Sequence, residues 1–135
     1  MSRAGSLLFL TMADLTLVQR FGDDVAFDPA TKKLTIDLNN LSQILIDGID
    51  YGLNSSAMTD ANKDEYSARI FWALMQKHRA SQPATNNDET VGVYVTNEGR
   101  RNAIRNQVPQ HGFRLVATAY ANDTVGIDLD PDNIG

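Results

Sequence analysis

Cysteine is absent from the 135 residues, which removes a disulfide framework, a thiolate nucleophile and Cys-ligated zinc or iron–sulfur centres in one step. The compartment stays open on that evidence, although a cysteine-free chain suits a reducing cytoplasm. Histidine is scarce: His78 and His111 are the only two, thirty-three positions apart. His78 falls in the last turn of a predicted helix, where a cation is favoured and a capping role is expected. His111 falls in a Gly/Pro/Gln stretch that reads as surface loop. Long apolar runs are also missing. Leu7-Leu-Phe-Leu10 is followed by Asp14, too short for a membrane span of about 20 residues and shorter than a usual secretory core. Residues 1–13 therefore read as an N-terminal arm, with Met12 as an alternative start and a cleaved signal as the minority alternative. The expected location is the cytoplasm or a virion, with secretion left open.

Basic residues are outnumbered, twelve against seventeen acids, so the net charge is −5 and phosphate backbones are repelled at long range. Nucleic acid is not the default partner. No nucleophile elbow, Walker loop, dinucleotide fingerprint or metalloprotease helix is present. Asp23-Asp24 offers paired carboxylates, but neighbours on a strand face opposite ways, so a turn with solvated carboxylates is the better reading. The spacing predicts neither an enzyme nor a cofactor.

Hydrophobic residues make up 42% and charged residues 21%, the balance of an ordinary globular chain. One domain over 1–135 is expected, large enough to bury roughly two-thirds of its unfolded surface. LTLVQRF at 15–21 is rich in β-formers and predicts a strand, with Gly22-Asp-Asp24 as its turn. VAFDPATKKLTIDL predicts a hairpin around Asp28-Pro-Ala-Thr-Lys32, with Leu34, Ile36 and Leu38 on a buried face. Leu41, Ile44, Leu45 and Ile49 recur at helical spacing behind Asn39-Asn40 as caps, which favours a short helix, while the run Ile44-Leu-Ile46 also suits a strand.

The strongest element is DANKDEYSARIFWALMQKHRASQP, which predicts a helix over about 60–80. Asp60 or Asn62 caps it, Asp64 and Glu65 face the positive end of its dipole, and Pro83 stops it. Tyr66, Ile70, Ala73 and Leu74 form its packing stripe, which Phe71 and Met75 broaden. Trp72 stands beside the stripe, placed to reach a partner. SQPATNNDET reads as loop, VGVYVT as a strand with Asn97-Glu-Gly99 as its turn, and FRLVATAY as a further strand. A turn at 121–124 then precedes a final apolar run at 125–129. Together these predict an α+β fold with a mainly antiparallel sheet, built from N- and C-terminal strand pairs, and the main helix packed on a face.

Two charge clusters stand out. EGRRNAIRNQVPQHGFR, 98–114, holds Arg100, Arg101, Arg105 and Arg114, half of the chain's eight arginines. They suit a phosphate, a carboxylate or an acidic partner, with Phe113 or His111 as a stacking surface. The acidic C-terminal segment 123–135 carries Asp123, Asp128, Asp130 and Asp132 and no base, and Ile127 and Leu129 alternate with Asp128 and Asp130. Asp128, Asp130 and Asp132 match the opening spacing of a calcium loop, but the sixth position is Asn133 where Gly is required, and no twelfth-position Glu stands in the sequence. No metal site is expected.

The arginine segment and the acidic tail form a candidate docking pair; independently solvated charges are the bland alternative, because exposed ion pairs are weak. The favoured expectation is a non-enzymatic structural or interaction protein that works in a homo-oligomer or larger assembly, of the kind found in a virion, tail or injection apparatus. Its partners would be itself or other assembly subunits. The alternative is a small regulatory domain that binds nucleic acid or an anionic ligand through the 100–114 segment.

Overall fold

The computed structural model describes residues 14–42, 50–121 and 134. The fold is α+β, with two antiparallel strand pairs, one from the N-terminal and one from the C-terminal part, and one main helix. The chain divides into two compact units: Leu15–Gln82, and Pro83–Gly135 together with Met1–Asp14.

The 15–82 unit opens with helix α1, Leu17–Phe21, where β propensity predicts a strand. Local capping wins. Thr16 accepts from the Gln19 N–H, and Gln19 returns the bond to the Thr16 N–H at 2.8 Å, a complete capping box. Gly22, at φ 98°, closes the helix by donating to Val18 at 2.9 Å. Strand β1, Ala26–Asp28, pairs with β2, Lys33–Thr35, with Phe27 opposite Leu34. Asp28 sets the connection by accepting from the Ala30 and Thr31 N–H groups. The predicted buried face of this hairpin is not there, because all six strand residues are exposed. Its alternation places apolar residues just past the strand instead, where Ile36 and Leu38 pack on the core.

Helix α2, Leu38–Ser42, is started by Asp37 and not by Asn39-Asn40: the Asp37 carboxylate accepts from both of their N–H groups. Asn40 instead reaches Asp24 at 2.7 Å, so the Asp23-Asp24 turn is tied to α2. The predicted continuation of this helix through 43–49 lies outside the described residues.

Helix α3, Ser67–Ser81, follows a 3-10 turn at Lys63–Tyr66. Asn62 makes no side-chain cap; its amide binds Thr59 and Ala57 and shapes the preceding loop. Gln82 is extended at ψ 160°, as the residue before Pro83 must be. The stripe packs as predicted at Ile70, Ala73 and Leu74, against Leu41, Leu53, Ile36, Leu38 and Tyr51. Leu41 is fully buried and contributes about 2 kcal/mol through its side chain. Phe71 does not broaden that face: it is 68% exposed. Gln76 and His78 are buried, and His78 stands in the last turn, where its position predicts it.

In the other unit, strand β3, Val93–Arg105, and strand β4, Val108–Ala119, form one long antiparallel ribbon. Its base is anchored. Val91 and Val95 are buried, the Tyr94 hydroxyl donates to the Pro83 carbonyl at 3.0 Å, and Asn86 donates to the Tyr120 hydroxyl at 2.8 Å. Ile134 pairs with Ala121 in an isolated antiparallel bridge.

Candidate interaction surface

The ribbon carries all four arginines of the basic segment. Sequence predicts a turn at Asn97-Glu-Gly99, yet the strand runs through it, and Glu98 and Gly99 together oppose the single residue Arg114 as a β-bulge. Gly99 has φ 82°, and the Asn97 side chain accepts from its N–H at 2.9 Å. Turn chemistry is present, but it is spent on a bulge. The reversal comes at Asn106-Gln107, both at positive φ (49° and 64°), which is the two-residue turn that matches strand twist. Residues 109–112, read as loop from Pro and Gly, are therefore strand.

Cross-strand partners share a face and successive residues alternate. The register then sorts the ribbon cleanly. One face carries Arg101, Ala103 and Arg105 on β3 and Val108, Gln110 and Gly112 on β4, with Arg114 next in line. The other carries Arg100, Asn102 and Ile104 opposite Phe113, His111 and Pro109. Ile104 is 76% exposed and Phe113 64%, so this second face carries two uncovered apolar side chains among Arg100, Asn102 and His111. Arginines 100, 101, 105 and 114 are all exposed. His111 meets the Asn102 amide oxygen at 3.1 Å, an amide partner and not a carboxylate. Arg114 reaches Glu98 at 3.5 Å across the bulge.

Pro109 fits because of the register. Arg105 and Val108 flank the two-residue turn and exchange both ladder bonds, so the next pair, Ile104 and Pro109, points its backbone polar groups outward. The missing N–H falls on the ribbon's outer edge and costs the ladder nothing.

Residues 99–114 contain four arginines and no acid, which leaves the rest of the chain at −9 against −5 overall. Residues 99–114 are thus a +4 segment in an otherwise strongly acidic chain. Of the other predicted site residues, Trp72 is half-buried on α3, and Asp128, Asp130 and Asp132 lie outside the described residues. Sequence reasoning missed the exposed Ile104. The signal was the period-two placement of Arg100, Asn102 and Ile104, masked by Gly99 and Pro109. Among the described residues, no cluster of His, Asp or Glu is arranged to hold a metal ion, and no helix is long and apolar enough to cross a membrane. No family model matches the chain, and no curated protein or solved structure matches it.

Proposed function

We propose that the protein is a non-enzymatic assembly module whose β3–β4 ribbon docks on the acidic surface of another copy, within a homo-oligomer or a larger structure such as a virion or tail. The observation that carries this reading is the sign inversion: a +4 segment with exposed Ile104 and Phe113 in a chain otherwise at −9. Two-stranded ribbons are marginally stable alone, so a long one with uncovered apolar residues gains from a partner surface. Opposite charge on the two halves of the contact steers copies together head to tail, a heterologous contact that closes into rings or propagates.

A nucleic-acid or anionic-ligand contact through the same arginines is the second reading, favoured by Arg101, Arg105 and Arg114 sharing one face. Sedimentation velocity at micromolar concentration, run beside fluorescence anisotropy with a labelled duplex and a labelled single strand, separates the two. The assembly reading predicts self-association that dissolves near 1 M salt, where screening acts within about 3 Å, and no oligonucleotide binding. Monomeric protein that binds the oligonucleotide with a steep salt dependence would replace it with the second reading.

A further inference from the structure

We infer that the ribbon takes the acidic tail of a second copy as a third strand, added along the open edge of β3 between Arg100 and Ile104; this rests on the assembly reading above. The two outer edges of the ribbon are not equivalent. On β3, residues 100, 102 and 104 point N–H and C=O groups outward, in a run bounded by the Gly99 bulge and the Asn106-Gln107 turn. On β4, Pro109 removes an outward donor near the tip. Strand addition works through such free edge groups, with alternate side chains supplying specificity.

The specificity matches on both faces. Beside the β3 edge, Arg101 and Arg105 stand on one face, and Ile104 stands on the other with Arg100 and Asn102, across from Phe113 on β4. In the tail, Asp128 and Asp130 alternate with Ile127 and Leu129, so an extended tail presents carboxylates to one face and apolar side chains to the other with the same period of two.

Chain length assigns that tail to a second copy. Ile134 is bridged to Ala121, and the 12 residues between them, run out and back fully extended, reach about 22 Å. Gly112, opposite Arg101, is nine residues along β4 from Ala121, about 30 Å away. Val108, opposite Arg105, is thirteen residues away, about 44 Å. A tail held at Ala121 falls short of its own Arg105, so it does not span the Arg101–Arg105 edge of its own ribbon.

The test uses two full-length double variants, Arg101→Glu/Arg105→Glu and Asp128→Lys/Asp130→Lys, followed by sedimentation velocity. Each alone juxtaposes like charges and is expected to stay monomeric, while an equimolar mixture restores opposite charge between copies and should associate. A mixture that remains monomeric while the wild type associates would overturn this inference and leave the broader assembly reading standing. A monomeric wild type would end both. The edge is tested by Asn102→Pro, which removes an outward donor and no ladder bond, against His111→Pro, the same change on the other edge. The first should weaken association about tenfold and the second less than about twofold. Equal or reversed effects would refute the β3 edge. Circular dichroism checks both proline variants for folding, and the charge-reversal mixture decides if either fails.

Discussion

Glu98 and Arg114 face each other across the bulge, with the Arg114 Nε 3.5 Å from the Glu98 carboxylate. The contact is half-exposed, so its contribution to stability is small. Its consequence is local neutralisation: of the three arginines on that face, Arg114 has an acid beside it, and Arg101 and Arg105 are the two left to meet an acidic partner. Arg114→Gln should therefore change self-association by no more than about twofold, whereas Arg101→Gln or Arg105→Gln should each weaken it about fivefold or more. Concentration-dependent sedimentation of the three variants checks the order. Equal losses would show that Glu98 does not screen Arg114.

The turn and the bulge both favour glycine. Gln107 sits at φ 64°, a conformation glycine adopts without steric cost, so Gln107→Gly should stabilise the ribbon by roughly 0.5–1 kcal/mol. Gly99→Ala should destabilise by about 1 kcal/mol; a Cβ there meets nothing within 4 Å, and the penalty is that of φ 82° alone. Thermal melts of both variants measure this, and a stabilising Gly99→Ala would contradict the assigned bulge.

Two aspartates, Asp28 exposed and Asp88 part-buried, make stability sensitive to acid. The Asp28 carboxyl is held below its ordinary value of 3.8 mainly by the Ala30 N–H, and Asp88 mainly by the Thr90 hydroxyl at 2.6 Å. Both pKa values are depressed on folding, so the stability they add is fully present above the unfolded value and is lost as pH falls through the lower folded values. Asp28→Asn and Asp88→Asn should each flatten the acid limb of a melting-temperature profile below about pH 4 and leave its neutral limb parallel to wild type. An acid limb unchanged in both variants would remove these turns from the acid response.

Core and surface on the helices are separable by truncation. Leu41 is fully buried, so Leu41→Ala should cost about 2–5 kcal/mol. Phe71 is 68% exposed, and Phe71→Ala should stay within about 0.5 kcal/mol. Denaturant titration resolves the difference, and a large loss at Phe71 would mean that a partner covers it.

Those two residues also mark how far the sequence is legible. Helix α3 and its inner stripe followed from 3.6-residue periodicity and from Pro83, because burial there comes from the helix's own pattern. Phe71 belonged to the same periodic set, but nothing in one chain's pattern says how wide a face its neighbours will cover. Residues 15–21 favoured a strand by propensity, and the Thr16–Gln19 capping box, a signal two residues wide, outweighed it. Along the ribbon, Asn97, Gly99 and Pro109 each carried turn chemistry. One built a bulge with the other, and the third sat on an outer edge, where its missing donor does not matter. The arginines were legible as a cluster, while their division between two faces depended on a register that only the Asn106-Gln107 reversal fixes.

The most direct measurement is the native mass of the unmodified protein by sedimentation across micromolar concentrations in low and high salt. Assembly through the ribbon gives a species of several 14.9 kDa copies at low salt that dissociates as salt is added. A 14.9 kDa monomer under every condition would contradict it.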